Sequence, residues 1–253
     1  MRSMKGKGIC FRDGIRDGIP IGLAYFSVSF GVGVVARAKG ISALLALLMS
    51  ATNLTSAGQA AGIEVISQRI ISAGADGAFT LAVAGELVLT QAVINLRYAL
   101  MGLTLSQRLS PRFGIAHRLL ASASITDEIF AVAVSRQGEL EPGYWYGLSG
   151  VPFLCWSAGT LCGALAGDIL PALLSDALGI ALYGMFLAIV IPPARENRGV
   201  CWAVLIASAT SCLFAFLPVL SSISFGFRVI LCSLASAALC AALFPVQEKE
   251  DEV

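Results

Sequence analysis

The chain has 253 residues, enough for one or two ordinary domains. Hydrophobic residues make up 57% and charged residues only 13%, whereas a soluble domain carries about 25% charge. With a mean hydropathy of +0.82, too few charges remain to cover a soluble surface. The formal net charge of +1 indicates no polyanionic partner. The composition excludes a cytosolic enzyme, a nucleic-acid-binding protein and a disordered chain, and predicts a multi-spanning membrane protein.

Long uncharged runs support this prediction, because a spanning helix needs about 20 mostly apolar residues. Runs of at least 18 residues without Asp, Glu, Lys or Arg cover 18–36, 40–63, 142–167, 177–194, 199–227 and 229–247. Two further apolar segments, 77–107 and 119–135, contain charges. None shows the alternating polarity of a β-barrel strand. We predict an all-α polytopic protein of seven or eight transmembrane helices, one or more of them broken, forming a single transporter domain over 1–253.

Charged residues at the ends of these runs predict the orientation. The basic N-terminal segment 1–17 and the arginine-bearing loop 106–118 are placed in the cytoplasm by the positive-inside rule. The loop with Glu139 and Glu141 is the best external candidate. These placements require an odd number of passes between Lys39 and Gln107, where two apolar segments lie, so one segment is expected to be broken or re-entrant. Residues 247–253 are predicted to be an acidic, disordered tail.

Two helices share a pattern of glycine and proline. Gly18-Ile19-Pro20 is followed by Gly31, and Gly150-Val151-Pro152 is followed by Gly163 at the same interval. Glycines spaced by four, at 14, 18 and 22 and again at 159, 163 and 167, predict close helix packing. With the first triplet cytoplasmic and the second external, the pattern is compatible with an inverted repeat.

The segment 42–63 is rich in Ser, Thr, Asn, Gln and Gly for a helix that faces lipid. One interpretation is an unwound stretch from Asn53 to Gln59, whose free backbone groups line a cavity. The other is a continuous helix whose Ser and Thr side chains bond to their own backbone. Both interpretations stay open at this point.

Four charges inside apolar segments require an explanation: Glu86, Arg97, Asp127 and Glu128. Each would cost about 2.5–3.5 kcal/mol at the centre of a bilayer, so they must face protein or water. If 77–107 is one helix, Glu86 and Arg97 lie on the same face. Arg97 then either forms a structural ion pair with Asp127 or Glu128, or these groups line a substrate or proton path. We favour the path, because intramembrane charges mark functional sites by default.

These side chains suit a carrier of amino acids. Arg97 can hold a carboxylate through two parallel hydrogen bonds, and Asp127 or Glu128 can hold an ammonium group. The candidate substrate-binding residues are Arg97, Asn95, Gln59, Asn53, Tyr98 and Phe30. The candidates for proton coupling or ion pairing are Asp127, Glu128 and Glu86. Phe30 and Trp156 are candidate pocket walls, although packing is the favoured role for an intramembrane aromatic.

Several motifs resemble those of one transporter family. Asn95-Leu96-Arg97-Tyr98, followed by Met101-Gly102-Leu103-Thr104-Leu105, resembles the "NLR(H)…M-x-L-S-L" signature of the AzlC family of branched-chain amino acid exporters. Ile125-Thr126-Asp127-Glu128-Ile129-Phe130-Ala131 is similar to its "L-T-D-E-x-F-A" motif, and Ser56-Ala57-Gly58-Gln59 to its "A-G-A-x-Q-F" segment. The resemblance implies a bacterial inner-membrane exporter driven by the proton gradient, together with a small hydrophobic AzlD-like subunit.

Two departures from the family pattern affect these expectations. Tyr98 stands where the family often has His, so any coupled proton must be carried by Glu86, Asp127 or Glu128. Ala60 stands where an aromatic residue is common after Gln59, which leaves the substrate side chain open. A passive channel subunit and a membrane-assembly subunit without transport remain alternatives. With no nucleophile–base pair, metal cluster or P-loop in the sequence, we expect no enzyme activity, no cofactor and no metal.

Overall fold

The computed structural model describes residues 11–68, 81–136, 138–167, 169–217 and 223–244. Within these ranges the chain is helical, and its one isolated β-bridge joins Leu109 to Leu140. Eleven helices are described: α1 (Phe11–Ala38), α2 (Ala43–Thr52), α3 (Ser56–Ile66), α4 (Leu81–Ile94), α5 (Leu96–Ser106), α6 (Ile115–Ser122), α7 (Asp127–Ser135), α8 (Pro142–Ala166), α9 (Ala172–Glu196), α10 (Arg198–Phe216) and α11 (Phe225–Leu243). Most of the predicted cytoplasmic segment 1–17 and the whole predicted tail 247–253 lie outside the described residues.

Four described helices, α1, α8, α10 and α11, are long and apolar enough to cross a membrane, and α4 with α5 makes a fifth if that bent pair is one span. The predicted all-α polytopic fold is therefore confirmed, and the count of seven or eight spans is not. Part of the difference arises because the runs 40–63 and 119–135 are divided into short helices, α2 with α3 and α6 with α7.

The chain separates into two compact units, one of residues 1–63 and 95–179, the other of 64–94 and 180–253. In the second unit, α11 packs against both α10 and α4. There the buried Glu86 accepts a hydrogen bond from the backbone N–H of Gly226 at 3.0 Å. The single transporter domain predicted over 1–253 stays a prediction.

Helices α1 and α8 form the centre of the first unit and run parallel. Gly14 lies against the backbone of Leu148, Gly33 against that of Thr160, and Gly167 against the side chain of Arg37. Contacts thus advance along both helices in the same direction. An inverted repeat requires two related helices to run in opposite directions. The predicted inversion is therefore wrong for these two helices, although the close packing expected from their glycines is confirmed.

The uncharged run 40–63 folds as two short helices. Gly40 has a φ of +83°, which glycine adopts without a steric penalty, and the chain reverses there after α1. The Ser42 hydroxyl then accepts a hydrogen bond from the N–H of Leu45 and caps α2. Asn53 has a non-helical backbone, with φ −141° and ψ 89°, and ends α2. Of the two interpretations of this segment, the structure shows the broken helix. Only residues 53–55 are non-helical, because α3 already begins at Ser56.

The segment from α6 to α7 is a hairpin that enters and leaves at one end of the α1–α8 pair. Near its start, a ring nitrogen of His117 lies 2.7 Å from the Tyr146 hydroxyl on the first turns of α8. Just after its end, Arg136 forms an ion pair with Asp17 on the first turns of α1. Between these ends, Thr126 reaches Tyr25, fourteen residues into α1. The apolar segment 119–135 therefore returns to the end from which it came and does not cross.

The same end of the α1–α8 pair collects the loop 106–118 and the loop with Glu139 and Glu141. Arg112 lies 3.1 Å from Glu141, and the N–H of Ser110 donates to the carbonyl of Leu140. The prediction that placed these two loops on opposite sides is therefore wrong. Nearby, the hydrogen bond to Asp17 raises the pKa of the Arg136 guanidinium, which stabilises its charge.

Candidate functional site

Two aromatic side chains at the middle of the α1–α8 pair lie between the α2–α3 segment and the α6–α7 segment. These two segments are called the interrupted segments. The rings of Tyr25 and Trp156 meet edge to face, with centroids 5.4 Å apart, and both side chains are buried. Gly22, one turn before Tyr25, contacts Val151 and Cys155 of α8. The small residue brings the helices together, and the aromatic pair fills the adjacent space between them.

On one side of this aromatic pair, Gln59 anchors the break between α2 and α3. Its side-chain amide donates to the Ser50 hydroxyl at 2.6 Å, and its carbonyl oxygen accepts from the Trp156 indole N–H at 2.9 Å. Ser50 in turn donates to Thr160 of α8 at 2.6 Å. All four side chains are buried. This complete pairing satisfies polar groups whose burial would otherwise cost about 1–3 kcal/mol each.

On the other side, the Tyr25 hydroxyl contacts the start of α7. It lies 2.7 Å from the Thr126 hydroxyl and 2.5 Å from a carboxylate oxygen of Glu128. Thr126 also caps α7 by accepting from the N–H of Ile129. Capping favours Thr at the N-cap of a helix, and the helix dipole favours Asp and Glu in its first turn. These local preferences explain why α7 begins here.

Arg97 and Asp127 form an ion pair next to this helix start. Their nitrogen and oxygen atoms are 2.8 Å apart, and 47% of the Arg97 side chain and 36% of the Asp127 side chain are accessible. Arg97 also donates to the Tyr98 hydroxyl at 3.0 Å and lies over its ring, 4.9 Å from the centroid. The guanidinium is therefore held in place while part of its surface stays open.

The condition that 77–107 forms one helix is not met in the described part of this segment. The segment is interrupted at Asn95, which has φ −94° and ψ 4° and precedes α5. Arg97 lies in α5 and in the first unit, whereas Glu86 lies in α4 and in the second unit. Because the helix is not continuous, the helical spacing that put Glu86 and Arg97 on one face does not apply.

The structure brings four of the predicted site residues together in one polar cluster: Arg97, Tyr98, Asp127 and Glu128. Gln59 is connected to this cluster through the rings of Trp156 and Tyr25. Asn53 and Asn95 mark the two helix breaks. Phe30 is half-buried on α1, and its backbone lies against Gly163, so it contributes to the packing of α1 on α8. Glu86 belongs to the other unit.

Sequence reasoning missed Tyr25, which connects the polar cluster to Trp156 and Gln59. A signal was present, since Gly18, Gly22, Tyr25 and Ser29 are spaced by four, three and four and so share one helix face. Sequence reasoning also missed the hydrogen bonds of Ser50 with Thr160 and of Tyr25 with Thr126. Each of these bonds joins residues that are more than ninety positions apart in the chain.

A mainly apolar cavity of about 340 Å³ is lined by Tyr98, the residue that follows Arg97. Its walls come from α5, from α6 with the residues that follow it, and from α8; they include Tyr98, Gly102, Leu103, Ile125 and Trp145. Tyr98 also accepts the hydrogen bond from Arg97, and Ile125 precedes Asp127 by two residues. Among the described residues, no group of three or more His, Cys, Asp or Glu side chains is arranged to hold a metal ion.

Comparison with known proteins relates the chain to a family. The family described as AzlC protein matches residues 20–170. An uncharacterized membrane protein of Archaeoglobus fulgidus is 32% identical over 194 residues, which cover 76% of this chain and 80% of the relative. The inner membrane protein YgaZ of Escherichia coli K12 is 28% identical over 201 residues, 76% of each chain. No solved structure matches. The match covers α1 from Pro20 onwards, α8 and the helices between them, and the chain belongs to the AzlC family of membrane proteins.

Proposed function

We propose that this protein is the large subunit of a secondary transporter that exports branched-chain or related small neutral amino acids. The observation that carries the proposal is the Arg97–Asp127 pair, which is partly accessible and stands beside a helix start and an apolar cavity. Family membership supports a role related to transport.

A zwitterionic substrate matches this pair of charges. Its carboxylate takes two parallel hydrogen bonds from Arg97, while its ammonium group binds Asp127. Substrate binding then replaces one ion pair with two. The two new pairs compensate each charge for the loss of its original partner.

Glu128 is the favoured carrier of a coupled proton. The polar cluster has two carboxylates, Asp127 and Glu128, but one guanidinium, that of Arg97. The described partner of Glu128 is the neutral Tyr25 hydroxyl, and no described cation lies within ion-pair distance of its carboxylate. A proton on Glu128 would remove the excess negative charge of the cluster, and we propose this residue as the group that receives it.

We propose an inner-membrane location with the arginine-bearing end in the cytoplasm. That end collects Arg12 and Arg16 at the start of α1, Arg108, Arg112 and Arg118 around its loop, and Arg136 before α8. The positive-inside rule assigns such an end to the cytoplasm. The loop with Glu139 and Glu141 then faces the cytoplasm too. A small hydrophobic AzlD-like subunit is proposed as partner on the basis of the family resemblance.

The test is efflux of preloaded radiolabelled leucine, valine and methionine from cells that express the chain with and without its AzlD-like partner. We expect efflux that needs the partner and stops when a protonophore is added. Arg97→Lys keeps the charge but loses the planar fork, so transport should fall at least tenfold at unchanged abundance. Arg112→Lys, in the exposed pair with Glu141, is the matched control and should transport normally.

Absence of efflux for all three amino acids, with the protein present in the membrane, would contradict the transport proposal and favour a channel or assembly subunit. Normal transport by Arg97→Lys would contradict the role of Arg97 as the carboxylate ligand. Efflux that is insensitive to the protonophore would contradict proton coupling but not the transport of amino acids.

A further inference from the structure

We propose that the 340 Å³ cavity beside α5 is the site that binds the aliphatic side chain of the substrate, and that Gly102 and Ile125 set the size of the side chain accepted. The inference rests on the proposed function, since it takes the Arg97–Asp127 pair as the site for the zwitterionic head group. It adds a binding position and two specificity-determining residues.

The position of the cavity supports this assignment. Tyr98 contributes to its wall and also accepts the hydrogen bond from Arg97, while Ile125 contributes to its wall two residues before Asp127. The two charges do not line the cavity themselves, and Tyr98 connects it to Arg97. We infer that an amino acid whose carboxylate and ammonium group engage Arg97 and Asp127 directs its side chain past Tyr98 into this space.

The lining selects the chemistry of the side chain. Most wall residues are apolar, including Ala99, Leu103, Leu105, Ile125 and the buried Trp145. The polar members of the lining are Ser106, Arg118 and Ser122. Over the remaining apolar surface a charged or amide side chain would lose its hydration without regaining hydrogen bonds. The volume of about 340 Å³ is large enough to hold an aliphatic side chain of a few carbons.

Gly102 allows the volume to be changed without moving the backbone. A Cβ atom added there would lie 3.5 Å from Cδ1 of Ile125, an ordinary van der Waals contact. The remaining methyl groups of a valine at this position would occupy the cavity. Gly85 is a matched control, because it is also helical, has nothing within 4 Å of an added Cβ, and does not line the cavity.

The experiment compares efflux of leucine, alanine and phenylalanine by wild type, Gly102→Val, Gly85→Val and Ile125→Ala, each at measured membrane abundance. Adding or removing a few carbons in the wall of a substrate pocket changes the discrimination between substrates of different size by about tenfold or more. We therefore expect Gly102→Val to lower the ratio of leucine to alanine efflux at least tenfold. Ile125→Ala should raise phenylalanine efflux relative to leucine, and Gly85→Val should leave all ratios unchanged.

Two results would overturn the assignment: unchanged ratios in Gly102→Val and Ile125→Ala, or an equal loss of all three substrates. The second result would indicate that a lipid chain or a helix of the partner subunit fills the cavity. A wild type without any efflux would instead contradict the proposed transport. In that case the thermal stability of the purified protein decides: a leucine-dependent rise in Tm that is lost in Gly102→Val supports the cavity site, and no rise overturns it.

Discussion

The α1–α8 pair and the interrupted segments that surround it are built on different principles. In the pair, glycine lets one backbone touch another, as where Gly18 lies against Leu148. In the interrupted segments, α2–α3 and α6–α7, polar side chains attach short helices to that pair through Gln59, Trp156, Tyr25 and Thr126. Backbone contacts without intervening side chains leave no room for adjustment, whereas hydrogen-bonded side chains can exchange partners.

This contrast indicates a division of labour within the first unit. The parallel pair is the scaffold, and the start of α7 presents Asp127, to which we assign the ammonium group of the proposed substrate. Non-helical backbone at such depth is tolerated only where it faces protein or a water-filled cavity. Substitutions in the pair should therefore remove folded protein, while substitutions in the segments should change transport in a protein that still folds.

The largest effect is expected for Gly163→Val. A Cβ atom at this position would collide with the backbone of Phe30, which cannot move without separating the helices. We expect destabilisation by about 3 kcal/mol or more and little monodisperse protein on size-exclusion chromatography in detergent. Gly150→Val on the same helix, where nothing lies within 4 Å of an added Cβ, should behave as wild type. A normal yield of Gly163→Val would contradict the scaffold role of the pair.

A smaller effect is expected for Gln59→Leu. The substitution keeps the approximate volume but leaves the buried Trp156 N–H without its acceptor and removes a donor to Ser50. The cost should be about 1–3 kcal/mol, seen as a lower Tm of the solubilised protein, with folded protein still recovered. Thr52→Val, whose exposed hydroxyl bonds only within its own helix, is the control. Equal Tm values for both variants would argue against Gln59 as an anchor of the break.

Tyr25→Phe should change function more than stability. The ring can still pack on Trp156, but the links to Thr126 and Glu128 are lost, at a cost of about 1 kcal/mol. Because Glu128 loses its described partner, efflux per folded protein should fall. The control is Tyr146→Phe, whose hydroxyl contacts His117 at the arginine-bearing end. Unchanged efflux by Tyr25→Phe would argue against a role for the Tyr25–Glu128 contact in transport.

The smallest effect is expected for Arg112→Ala. Arg112 and Glu141 form an ion pair in which 79% and 30% of the two side chains are accessible. Such pairs contribute about 1 kcal/mol or less, so Tm and efflux should stay close to wild type. A large loss of transport would show that the arginine-bearing end takes part in the transport cycle and is more than an orientation signal.

Local patterns were sufficient for part of this structure. The apolar runs predicted an all-α membrane protein, the glycine spacing predicted a close helix pair, and the charged motifs identified Arg97, Asp127 and Glu128. Hydrophobic length, however, does not reveal whether a run crosses or turns back. Residues 119–135 are apolar enough to suggest a crossing, yet Arg136 returns to Asp17 beside the start of α1.

The sequence by itself determined the membrane environment, the family and the residues that carry charge, because each of these depends on composition or on short motifs. Tertiary structure alone decided that α1 and α8 run parallel, that Tyr25 links Gln59 to Glu128 through Trp156 and its own hydroxyl, and that Glu86 belongs elsewhere. The physical reason is that direction and partner choice arise from packing between distant segments. A polar side chain in an apolar run must find a partner, but its own neighbours in sequence do not specify which one.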